Sequence, residues 1–149
     1  MAEVFTVAMT NPFADLSGEN IITIDWTSHA SDGTCDGDIC STFAAAQLAI
    51  GYAMPQPSKV WGYIKAIETI PGANGDLSTT CPTALYDIVL QDAYDYDLAA
   101  TSLADRSASV AERVIPTSPI PVNSEITLGI SAAGTSTTGR ILIYISPIP

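Results

Sequence analysis

Positive charge is nearly missing from this chain. Of 149 residues only five are Lys or Arg, against sixteen Asp or Glu, and the formal net charge is −11. A field of that sign repels phosphate backbones and anionic lipid, so neither nucleic acid nor membrane is an expected partner. Charge of either sign is scarce: 14% of residues, against about a quarter in an ordinary soluble protein. A surface with so little charge must be covered by Ser, Thr, Asn and apolar groups, or by other chains.

Histidine is reduced to one residue, His29. A serine nucleophile would need it as base, and no GxSxG elbow exists. A zinc site would have to draw on His29, Cys35, Cys40 and Cys81, whose spacing matches no finger pattern. The glycine loops "GANGD" and "GTSTTG" lack the lysine and the helix of a phosphate cradle. No pair of acids stands apart as a glycosidase pair would. The expectation is a protein that is not an enzyme and holds no cofactor.

Long hydrophobic runs are also missing. The longest mainly apolar stretch, Phe43 to Ala53, falls short of the roughly 20 residues of a membrane span. The opening "MAEVFTVAMTNPF" carries an acid where a secretion signal carries basic residues, so synthesis in a cytoplasm without a signal peptide is expected. Cysteines number three, an odd count that argues against a disulfide framework. Cys35 and Cys40 in "TCDGDIC" are close enough to bridge a short loop under oxidation; the alternative is three reduced thiols.

What the chain does have is β patterning. In "NIITIDWTS" Ile22, Ile24 and Trp26 share one face. "KVWGYIKAIETI" sets Trp61, Tyr63, Lys65 and Ile67 on one side and Ile64 and Ala66 on the other. "LYDIVLQD" turns Tyr86, Ile88 and Leu90 inward, and "EITLGIS" does the same with Ile126, Leu128 and Ile130. Period-two runs bounded by Gly, Pro, Asn and Ser indicate half-buried antiparallel strands. "SAAGTSTTG" reads as a hairpin loop joining the last two strands. The final strand, "RILIYIS", is apolar on both faces: Ile141, Ile143 and Ile145 on one, Leu142 and Tyr144 on the other. Such a strand is either central or covered by something outside the domain.

Two segments depart from the pattern. "STFAAAQLAIGYAM" predicts one short helix, capped by Ser41 or Thr42 and closed by Gly51, in an insertion of about residues 33–58. In "DLAATSLADRSASVAERVIPTSPIPVN" a helical turn is expected near Leu98–Ala104. Beyond it, Pro116, Pro119 and Pro121 suit an extended crossing at a sheet edge. The fold class expected is all-β: an antiparallel, jelly-roll-like β-sandwich over residues 20–149, with the helix-bearing insertion and an extended N-terminal arm, residues 1–19.

The aspartates gather in two places. Asp92, Asp95 and Asp97 follow a strand in "DAYDYD", and Asp32, Asp36 and Asp38 sit in "SDGTCDGD". Either is a conceivable Ca²⁺ loop, but the EF-hand glycine and terminal glutamate are missing. Short acceptor side chains that end strands and cap turns are the simpler reading. An ion pair between Asp105 and Arg106 is expected in the same region.

The order "ITIDWTS", "TIPGANGDLSTTCPTALYDIVLQDAYDYDL", "LADRSAS" and "ITLGISAAGTSTTGRILIYI", across roughly Asn20 to Ser146, resembles a family of small β-rich structural proteins encoded among the head and tail genes of tailed bacteriophages and prophages. The chain departs from that pattern in "TCDGDICSTFAAAQLAIGYAMPQPS" and in its first nineteen residues, which look additional. The resemblance implies a virion structural protein, foremost a capsid decoration or cement protein that binds the major capsid protein as a symmetric oligomer, a homotrimer. A neck, tail or fibre-base component is the alternative. A carbohydrate- or host-surface-binding sandwich using exposed tyrosines is a third. Residues expected at the interaction surfaces are Val4, Phe5, Val7 and Phe13 in the arm, and Leu142 and Tyr144 on the last strand.

Overall fold

The computed structural model describes residues 4–10, 20–38, 60–77 and 80–146. Among the described residues nine strands follow in chain order: β1 (Val4–Thr10), β2 (Asn20–Thr27), β3 (Cys35–Asp38), β4 (Val60–Pro71), β5 (Asp87–Gln91), β6 (Glu112–Val114), β7 (Ile120–Ser124), β8 (Thr127–Ser131) and β9 (Thr138–Ser146). They form two antiparallel sheets. The larger runs β1-β2-β9-β4-β6, with β7 also on β4; the smaller runs β3-β8-β5. The all-β sandwich expected from the alternation is therefore present.

The alternating apolar rows make the layer between the sheets. Ile22, Ile24 and Trp26 of β2, Ile141, Ile143 and Ile145 of β9, and Ile64 and Ile67 of β4 are buried from the large sheet. Ile88 and Leu90 of β5 and Leu128 and Ile130 of β8 are buried from the small one. Each fully buried large side chain is worth about 1.5–3 kcal/mol. Trp26 meets Tyr86 across the layer at 5.8 Å between ring centroids. The indole N–H of Trp26 has no hydrogen-bond acceptor among the described residues. That orphan costs roughly 1–3 kcal/mol, which the large apolar area of the ring offsets.

β9 is the central strand of its sheet, paired with β2 on one side and β4 on the other. On β4, strict alternation fails beyond Ile64. It sets Ile64 and Ile67 on opposite faces, yet both are fully buried, because the register slips at a bulge between Ile64 and Ala66. One extra residue at Lys65 resets the phase and turns Ile67 inward.

"SAAGTSTTG" is not a hairpin. β8 belongs to the small sheet and β9 to the large one, so the loop crosses between layers. It is fastened to the end of β2 by Ser28, which is fully buried. Its hydroxyl donates to the Gly134 carbonyl at 2.6 Å and accepts from the Thr137 amide at 2.9 Å. Alternation shows which face a strand buries, but not which strand it pairs with.

The opening residues also differ from expectation. Val4–Thr10 are not an arm apart from the domain: β1 pairs with β2 over seven consecutive positions, Val4 opposite Thr27 through Thr10 opposite Ile21. Leu98–Ala104 is a series of tight turns, with Ala100 and Thr101 at positive φ, and not a helical turn. The prolines fall at an edge as expected. β6 and β7 lie one after the other along the side of β4 away from β9, with Pro116 and Pro119 between them and Pro121 within β7. The helix expected after Ser41 lies outside the described residues.

Candidate interaction surface

The outward face of the large sheet is defined by the residues between the buried ones. β9 contributes Arg140, Leu142 and Tyr144, all half-buried. The cross-strand register sets Arg140 opposite Asp25, Leu142 opposite Thr23 and Glu68, and Tyr144 opposite Ile21 and Ala66. Among the described residues no strand or helix is layered on this face. Only the short turn at Ala73–Gly75 reaches one end of it, where Gly75 lies near Ile70 and Arg140.

The charges on this face are paired. Arg140 donates from Nε to Asp25 Oδ1 at 2.7 Å and from Nη2 to Asp25 Oδ2 at 3.0 Å, a two-point fork. Arg113 Nη2 donates to Glu68 Oε2 at 2.7 Å. The same guanidinium lies 5.2 Å from the ring centre of Tyr144, and the Tyr144 hydroxyl donates to Glu68 Oε2 at 3.3 Å. Both guanidiniums are held above their usual range, chiefly by these hydrogen bonds to carboxylates. A strip with Leu142 and Tyr144 at its centre is thus bordered by pairs that carry no net charge. On a chain of −11, this face is electrostatically quiet.

Four of the aspartates, by contrast, are occupied in turns and loops. Asp92 Oδ1 accepts the amides of Tyr94 and Tyr96 at 2.8 and 3.0 Å. Asp97 takes the amide of Ala99 on one oxygen and that of Thr101 on the other. Asp87 accepts the amide of Asp105 at 2.9 Å. Asp32 accepts both the amide and the hydroxyl of Thr34, which hold its carboxyl below the usual range. These are the turn-capping roles read from the sequence. No group of three or more His, Cys, Asp or Glu among the described residues is arranged to hold a metal ion. Arg106 does not pair with Asp105; its nearest carboxylate is Glu112, at 3.9 Å, and its Nε and Nη2 donate to the Ala104 carbonyl.

The remaining expected residues separate. Val4, Phe5 and Val7 lie on β1, at register positions opposite Thr27, Trp26 and Ile24. That is the far edge of the sheet from Tyr144's partner Arg113. Phe13 and Cys40 lie outside the described residues, and Cys35 is buried at the start of β3. His29 sits in the turn after β2, its Nδ1 within 2.7 Å of the Ser31 hydroxyl. Asp25, Glu68, Arg113 and Arg140 were not singled out by sequence reasoning. Their outward rows were legible, but the pairing of β9 with both β2 and β4 that joins them was not.

Comparison with known proteins gives no match: no family model, no curated protein and no solved structure is significantly similar to the chain.

Proposed function

We propose that the chain is a structural protein of a tailed-phage virion, foremost a capsid decoration protein that docks on the head shell as a symmetric oligomer. The observation that carries this reading is the outward face of the large sheet. Leu142 and Tyr144 occupy the middle of its central strand, no strand or helix among the described residues covers them, and Asp25–Arg140 and Glu68–Arg113 neutralise its borders. A face of this kind costs less to desolvate than one with unpaired charges, since its charges bring their own partners. The motif order described above supports the phage context. Carboxylates turned to loop capping, with one histidine in a surface turn, favour a binding role over a catalytic one.

Exposed Tyr94 and Tyr96, 88% and 62% accessible on the acidic turn after β5, favour a second reading, a module that binds host-surface carbohydrate. Quantitative mass spectrometry of purified virions, scaled to the major shell protein, tests the first. A copy number comparable to the shell subunit supports decoration. A few copies per particle moves the protein to the neck, tail or fibre base. Absence from virions overturns the reading and makes a glycan array the next measurement.

A further inference from the structure

The sheet edges of this protein are not treated alike. Along β4 the outer edge is interrupted between β6 and β7 and carries Pro116, Pro119 and Pro121. The outer edge of β5 is occupied by the returning chain: Leu98 N–H donates to Leu90 O at 2.8 Å, Ile88 N–H to Leu103 O at 3.0 Å, and Arg106 N–H to Tyr86 O at 2.7 Å. β3 is only four residues long and includes two aspartates. Short strands, prolines, charge and covering loops are the usual protections against strand addition.

Among the described residues, β1 has none of them. Its seven residues, VFTVAMT, contain no charge, proline or glycine. They hold unbroken register with β2, and no described strand pairs with the other side. An edge of this length and neutrality is a template for another strand.

We propose that the partner is a second copy of the chain, joined β1 to β1 in antiparallel fashion about a two-fold axis through Val7. In such a pair, residues facing each other must point to the same side of the sheet, so the axis must pass through a residue and not between two. An axis at Val7 sets Val7 against itself, Thr6 against Ala8, Phe5 against Met9 and Val4 against Thr10. All seven residues of the strand are then used; an axis at Thr6 or Ala8 leaves two without a described counterpart. Phe5, Val7 and Met9 register with Trp26, Ile24 and Ile22, each of which is buried.

Two copies at −11 each repel; β1, which carries no charge of its own, adds nothing to that repulsion along the paired strands. Such an edge closes with two copies, whereas the phage resemblance implies three. The inference stands apart from the virion reading, since it concerns the isolated chain.

Sedimentation velocity of the full chain over a concentration series tests it. The expected result is a dimer, with amides of β1 gaining hydrogen-exchange protection as concentration rises. The double variant Thr6→Lys/Ala8→Lys sets lysine against lysine across the axis twice, while within the chain position 6 lies opposite Asp25 and position 8 opposite Thr23. It should keep the wild-type circular dichroism and dissociate at least about tenfold more readily, since facing like charges disfavour strand pairs. Mixing it with Thr6→Glu/Ala8→Glu should restore a dimer containing one copy of each. A wild-type monomer at tens of micromolar overturns the proposal. So does a trimer, a dimer indifferent to the lysines, or one without concentration-dependent protection of β1.

Discussion

Gly139 lies against the indole of Trp26 so closely that a Cβ at position 139 would sit 2.5 Å from Cζ2 and 2.8 Å from Nε1. The two residues are register partners on β9 and β2, and the ring occupies the space a side chain would otherwise take. The backbone of Gly139 is not at positive φ, so its requirement for glycine is one of space and not of dihedral freedom.

Gly139→Ala should therefore cost about 1–3 kcal/mol, the usual range for overpacking a filled core. Urea unfolding followed by circular dichroism measures it. Unchanged stability would mean that Trp26 repacks freely and that the inter-sheet layer is looser than described.

Tyr86 gives a pH dependence. Burial, with Glu112 adding to it, pushes its phenol from the ordinary 10.0 up to about 12, partly opposed by Arg106 and by the hydrogen bond with Thr69. The folded protein retains the proton over a range in which the unfolded chain has lost it. Stability from this group is thus complete below pH about 10, falls by up to about 1.4 kcal/mol per unit as pH rises toward 12, and levels above. Tyr86→Phe should flatten that part of the stability-against-pH curve. A variant with the wild-type slope would assign the alkaline loss to other groups.

The Asp25–Arg140 fork is half-exposed on both partners. A double-mutant cycle with Asp25→Asn and Arg140→Gln should give a coupling near the upper end of the usual surface range, about 0.5–1 kcal/mol, decreasing with added salt. Zero coupling at low salt would mean that the fork adds nothing to the pairing of β2 with β9.

Asp92→Ala leaves the amides of Tyr94 and Tyr96 without their acceptor. Hydrogen exchange at those two amides should accelerate at least tenfold, with global stability reduced by about 1 kcal/mol. Exchange that stays slow would show that the turn is held by backbone bonds alone.

Removing Met1–Thr10 should destabilise the domain, because β2 loses the whole of its outer ladder. At about 1 kcal/mol per backbone hydrogen bond, the loss amounts to several kcal/mol in thermal or urea unfolding. Unchanged stability would return these residues to the status of a separable arm.

The sequence discloses face but not neighbour. The inward rows of β2, β5, β8 and β9 follow from alternation, since burial on one side imposes period two. The turn roles of Asp92 and Asp97 follow equally from local chemistry, an acceptor two or four residues ahead of an amide. Three features escape because they depend on distant chain. The bulge at Lys65 becomes visible only against β9. The crossing of "SAAGTSTTG" between layers depends on which sheet each flanking strand joins. β1 reads like an arm because an uncharged edge strand and a docking arm have the same composition. The outward face of the large sheet was half legible: Leu142 and Tyr144 from the excess apolarity of β9, its arginine–carboxylate borders only from register.

The central place of β9 bears on how the molecule comes to be made. β2 and β4 have no ladder between them until a strand made more than sixty residues after the end of β4 is inserted. On the ribosome, the chain as far as Thr137 therefore emerges without the strand that unites the large sheet, and the isoleucines of β2 and β4 wait for their partner. Closure of long-range β pairings is slow. Shortening the chain from the side of Ser146 would not trim this sheet but divide it, leaving nascent fragments with two sticky edges where the complete protein has an interior.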